Sequence, residues 1–135
     1  MPRLLLLLPQ LPQDPASGAA RSMRTACEML AVAGWDVRAL ATTATESATL
    51  LNAAEFLRSA GFVITTRVPN RAIYRHDRAV LEFTGRHGII FRLLDTGTAQ
   101  AFDWQDAHGT QFNRLYHREL ADFRPGIVFG FGGTP

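Results

Sequence analysis

The sequence predicts an α/β domain: a doubly wound, mainly parallel sheet with a 3-2-1-4 core and an additional hairpin. Three observations lead there. The run Leu4 to Leu8 is apolar throughout, as a strand covered by helices on both faces must be. Helical spacing then alternates with short apolar runs along the chain. The junctions AGWDV (33–37) and AGFVI (60–64) share one form, each closing a helix at glycine and opening a strand.

Leu4 to Leu8 follows a basic start and precedes small residues at 16–20, an arrangement that imitates a secretory leader. A leader needs an apolar region of roughly 7 to 15 residues. Here the run stops at Pro9, and Pro12 and Pro15 occupy the space where it should continue, so the central strand is the favoured reading.

Next, Ala20, Met23, Cys27 and Leu30 recur at spacings of three and four and mark one face of a helix from about Ser17 to Ala33. Ser17 suits its N-cap and Gly34 its end. Trp35 to Ala41 reads as the second strand, Ala48 to Ala60 as a second helix and Phe62 to Thr66 as the third strand. Right-handed crossovers then set the order 3-2-1 for this half. Ala79 to Phe83 and Ile89 to Asp95, joined by TGRHG, read as a hairpin beside the main sheet. A helix over 107–123 buries Phe112, Leu115, Leu120 and Phe123 and stops at RPG (124–126). Ile127 to Phe131 is the fourth parallel strand, beside the first.

Length and composition set the outer limits. The 135 residues fit a single domain over 1–135, and 47% hydrophobic against 19% charged residues exclude a disordered chain. No apolar run approaches the ~18 residues of a membrane span. All 14 basic residues are arginine, yet the net charge is only +2, too small to argue for nucleic acid. The lone Cys27 excludes an internal disulfide and fits a reducing, cytoplasmic setting.

Between residues 67 and 92 six arginines (Arg67, Arg71, Arg75, Arg78, Arg86, Arg92) face only Asp77 and Glu82, a local net of +4. A solvated loop accounts for this, and the sharper alternative is an anionic ligand or lipid headgroup, the latter implying peripheral membrane contact. His76, His87, His108 and His117 lie far apart without cysteine partners, so no metal site is expected. Nor is a cofactor. Asp103 and Asp106 can act as acid and base or cap the following helix, and Asp106 as an N-cap is the commoner arrangement. There is no G-x-G-x-x-G after the first strand, as a dinucleotide site requires.

Residues 17–42, SGAARSMRTACEMLAVAGWDVRALAT, resemble the start of group 1 (family 4) glycosyltransferases. Their usual pattern is Gly-Gly-Ala-Glu-Arg, a helix with a repeated Leu-Ala, then Gly-His-Glu-Val and a strand. Gly18, Ala19 and Arg21 match the first motif, with Ser17 and Ala20 departing from it. Gly34 and Val37 match the second, with Trp35 in place of histidine and Asp36 in place of glutamate. The ending RPGIVFGFGG (124–133) resembles the family's Arg-Pro-Asp-Val-Val-His-x-His strand, with Phe129 and Phe131 at the histidine positions.

The resemblance implies the N-terminal, acceptor-side, Rossmann-like domain of a GT-B enzyme. Its partners are a nucleotide-sugar donor and a hydroxyl acceptor, and its donor-binding C-terminal domain is absent from this chain. Ser17, Gly18 and Ala19 become candidates for the donor diphosphate, because short side chains let backbone N–H groups at a helix N-terminus approach an anion. Gly18 as a mere tight-loop residue is the plain alternative. Arg21, Gly132, Gly133 and Thr134 become candidates for the acceptor cleft. No catalytic residue can be assigned. The glycine-rich ending without a following helix reads as the first part of a larger protein, with self-association through the exposed sheet edge expected. A competing reading is a non-catalytic, flavodoxin-like binding or response module.

Overall fold

The computed structural model describes residues 2–45, 52–68, 77–97 and 107–130. Strands β1 (Arg3–Leu8), β2 (Asp36–Thr42), β3 (Thr65–Arg67), β4 (Val80–Thr84), β5 (Ile90–Leu94) and β6 (Ile127–Gly130) alternate with helices α1 (Gly18–Val32), α2 (Ala53–Ser59) and α3 (Ala107–Asp122). The strands form one mixed, six-stranded sheet in the order β3-β4-β5-β2-β1-β6. β1 pairs in parallel with both β2 and β6, so the leucine run is indeed the interior strand.

The expected parallel order 3-2-1-4 is corrected at its outer end. The neighbour of β2 is β5, paired in parallel, and not the segment at 62–66. The β4–β5 hairpin is an integral part of the sheet and separates β2 from β3, which pairs antiparallel to β4 at the far edge. The physical reason lies in where the apolar groups go. Phe62 and Ile64 pack against the core from the connection before β3, Val63 is 86% exposed, and the strand itself is the polar Thr65–Arg67. By contrast, Phe91 and Leu93 of β5 are buried, which fits them for a central position.

Helices cover both faces. Leu4, Leu6 and Leu8 pack with Met23 and Cys27 of α1 and Leu57 of α2, while Leu5 and Leu7 pack with Phe112 of α3 and with Phe123. Alternate leucines of one strand thus supply two cores. α1 starts as its sequence requires, since the Ser17 hydroxyl accepts from the Ala20 N–H. It ends at Gly34, whose φ of +102° is a conformation that favours glycine. α2 begins only at Ala53, because Asn52 is extended and caps it through the Glu55 N–H. The expected earlier start at Ala48 lies outside the described residues, as do His76, Asp103, Asp106 and Phe131. In the hairpin turn, a side chain on Gly85 would place its Cβ 2.5 Å from the Phe91 ring. β6 is bare on its outer side: Ile127, Val128 and Phe129 are 46%, 38% and 47% exposed.

Cys27 is buried, and burial, helped by Glu28, pushes its thiol up to about 11. The folded protein therefore keeps a proton that the unfolded chain releases above an ordinary value of 9.0. Stability is fully present below that value and falls by about 2 to 3 kcal/mol as pH rises towards 11. Urea titrations across this interval should show the slope in the parent protein and not in Cys27→Ala; equal slopes would contradict it.

Candidate functional site

Strand order reverses at β1, which has β2 on one side and β6 on the other. In an open α/β sheet the crevice beyond the carboxyl ends of the strands at such a point is the favoured ligand position. The segment 9–17 lies there, together with the start of α1 and the ends of β2 and β5.

The loop is tightly held. Leu11 donates its N–H to Ala44 O at 2.7 Å, which ties the loop to the segment after β2. Arg24 of α1 reaches back to Pro12 O at 3.1 Å. Asp14, 1% exposed, accepts from the Ala16 N–H at 2.9 Å, an Asx turn of the kind the Asp14-Pro15 dipeptide favours. Next to it Gln13 is buried, and its Oε1 has no hydrogen-bond partner among the described residues.

Ser17 is buried, and its hydroxyl oxygen accepts from Ala20 N at 3.1 Å and from Gln10 Nε2 at 3.0 Å. It serves the helix as a cap. Gly18 and Ala19 are the first two helical residues, whose N–H groups have no partner inside the helix. Gly18 is exposed, and a side chain there would meet nothing within 4 Å. Its φ is not one that demands glycine, so the fold itself would tolerate a side chain there. Arg21 is exposed and donates to Pro15 O at 3.4 Å, so it lies back along the loop. Ser17, Gly18, Ala19 and Arg21 are thus brought together at one helix end. Gly132, Gly133 and Thr134 lie outside the described residues; β6 runs parallel to β1, with Gly130 opposite Leu7.

Sequence reasoning missed the second wall. Thr43, at the end of β2, is 1% exposed; its hydroxyl donates to Asp95 Oδ1 at 3.4 Å and accepts from the Thr96 N–H at 3.0 Å. Asp95 Oδ1 also accepts from the Gly97 N–H at 3.0 Å. These bonds fasten the end of β5 to that of β2. The local signal was present in the Asp-Thr-Gly turn at 95–97, but its partner depends on β5 lying beside β2.

The carboxyl edge of the sheet thus carries the backbone donors at the start of α1 and, at the ends of β2 and β5, a hydroxyl and a carboxylate bonded to each other. Such an arrangement can bind an anion and position a hydroxyl-bearing group. Among the described residues, no three His, Cys, Asp or Glu side chains converge as a metal site, and no helix is long and apolar enough to cross a membrane. No family model matches the chain, and no match is found among curated proteins or solved structures.

Proposed function

We propose that these residues form the acceptor-side domain of a glycosyltransferase that moves a sugar from a nucleotide-sugar donor to a hydroxyl acceptor. The observation that carries the reading is the motif at Gly18, Ala19 and Arg21, which lies at the capped start of α1, beyond the carboxyl end of the central strand. There the helix dipole and the two free N–H groups favour a diphosphate, and Gly18 lets it come close. Ser17 contributes by fixing the helix end rather than by donating its own hydroxyl.

The fold is read as Rossmann-like and doubly wound. β1–α1–β2 and β2–α2–β3 step outward across one face, while β5–α3–β6 steps the opposite way across the other, so all three crossovers share one hand. The β4–β5 hairpin is then an insertion between the second and third strands of a 3-2-1-4 winding.

Transfer requires donor and acceptor to be held together, and such positioning is worth roughly 7 to 11 kcal/mol of barrier. One domain holds only one side. Residues 1–135 are therefore expected to bind nucleotide sugars weakly and to show no turnover with a panel of nucleotide sugars and mixed hydroxyl acceptors. Turnover at an ordinary enzymatic rate, roughly 1 per second or faster, would refute the half-enzyme reading.

A further inference from the structure

The arginine-rich segment plays no part in that proposal, yet the structure sorts its charges in an informative way. A cleft of about 470 Å³ opens between α3 and the β2–β5–β4 side of the sheet, with Leu40, Val80 and Leu115 among its lining. Its size falls within the range of small-molecule sites. It lies on the α3 face, whereas α1 packs on the opposite face, and it meets the strand-edge site at Arg78, which reaches Asp95 O.

Five arginines and four acids line the cleft. Asp77 accepts two bonds from Arg114, at 2.8 and 2.5 Å. Glu82 accepts from Arg92 at 3.0 Å and pairs with Arg67 at 3.6 Å. Glu119 is held by Arg92 and by Arg38. Asp122 is exposed, and among the described residues no ion pair joins it to Arg118 one turn earlier. Two cations are left over. Arg118 is exposed on α3 and makes no ion pair among the described residues. Arg78 is anchored through its backbone, which exchanges two bonds of 2.8 Å with the Gln111 side chain. Its Nε donates to Asp95 O at 3.2 Å, so the group is fixed in place while its outer nitrogens have no carboxylate among the described residues.

We propose that this cleft binds an organic phosphate, with the Arg118 guanidinium gripping the phosphate, Arg78 adding positive charge at the β5 end of the cleft, and an apolar body lying over Leu40, Val80 and Leu115. A guanidinium fork matches the oxygens of a phosphate group. The carboxylates of Glu82 and Glu119 keep the anion at the rim and leave the apolar lining for the rest of the ligand. The same chemistry is offered by a soluble phosphomonoester and by a phospholipid headgroup.

The test uses phenyl phosphate as probe, followed by calorimetry and amide shifts. Saturable binding is expected, stronger than that of inorganic phosphate and weakened about tenfold by Arg118→Gln, the effect of losing one charge-assisted hydrogen bond. Arg58→Gln, exposed on α2 and outside both sites, should leave it unchanged. Arg118 is exposed, so its variant is expected to fold, and the amide spectrum verifies that. Vesicles of phosphatidylcholine with and without phosphatidylglycerol identify the source. Retention on the anionic vesicles, lost in Arg118→Gln and competed by phenyl phosphate, supports the cleft with a lipid ligand; phenyl phosphate binding without retention supports it with a soluble one. No saturable binding of phenyl phosphate, or binding indifferent to Arg118→Gln, would overturn the proposal.

Discussion

Replacing Glu119 by alanine is expected to destabilise the fold by about 3 kcal/mol, because it strands the guanidinium groups it neutralises. The Glu119 side chain is only 5% exposed and bridges Arg92 and Arg38 beneath α3. Burial alone would lower the Arg92 pKa, but hydrogen bonds to Glu82 and Glu119 outweigh it and raise the value, so the group stays charged at any working pH and cannot escape by losing a proton. The Arg92 and Arg38 side chains are 28% and 26% exposed, which holds the cost to the lower end of the range for a broken buried pair. Arg38 also stacks over the Phe123 ring, 4.4 Å from its centroid, and loses its restraint there. Arg67, 68% exposed and 3.6 Å from Glu82, provides the contrast: Arg67→Ala should change stability by less than about 1 kcal/mol. Urea unfolding of both variants checks the pair. Equal effects would show that the buried network contributes no more than a surface ion pair.

Phe112→Ala is expected to cost still more, about 3 to 5 kcal/mol. Its ring is 1% exposed and packs with Leu5, Leu7, Leu40, Leu94 and Phe123, the cluster that binds α3 to the sheet. A domain of this size has about 5 to 15 kcal/mol in total, so the variant should lie near the edge of folding at ambient temperature. Phe112→Leu keeps most of the volume and should cost markedly less. Thermal unfolding followed by circular dichroism measures both. A loss below about 1 kcal/mol for the alanine variant would mean that α3 is not held through this side chain.

The parts of the fold written in local patterns could be read from the sequence, and the parts set by distant pairings could not. β1 was legible because a strand buried on both faces must be apolar at every position. α1 was legible because Ser17 and Gly34 bracket a regular apolar face. The third strand was misread because Phe62 and Ile64 supply apolar groups to the core from a connection, a use that a pattern of residues does not distinguish from a strand. Placing β5 inside the sheet required its parallel pairing with β2, which the local hairpin pattern does not carry. At the strand-edge site, Gly18, Ala19 and Arg21 were visible as a contiguous motif. Thr43, Asp95 and Thr96 were not, since only the β2–β5 pairing brings them together.

The measurement that bears most directly on the proposed site is an amide chemical-shift titration of the protein with a nucleoside diphosphate. The expected result is weak, saturable binding with the largest shifts at the Gly18 and Ala19 N–H groups and smaller ones along the 9–17 loop. Shifts confined to other parts of the molecule, or none at these two amides at the highest nucleotide concentration, would contradict the assignment of the α1 N-terminus to a donor diphosphate.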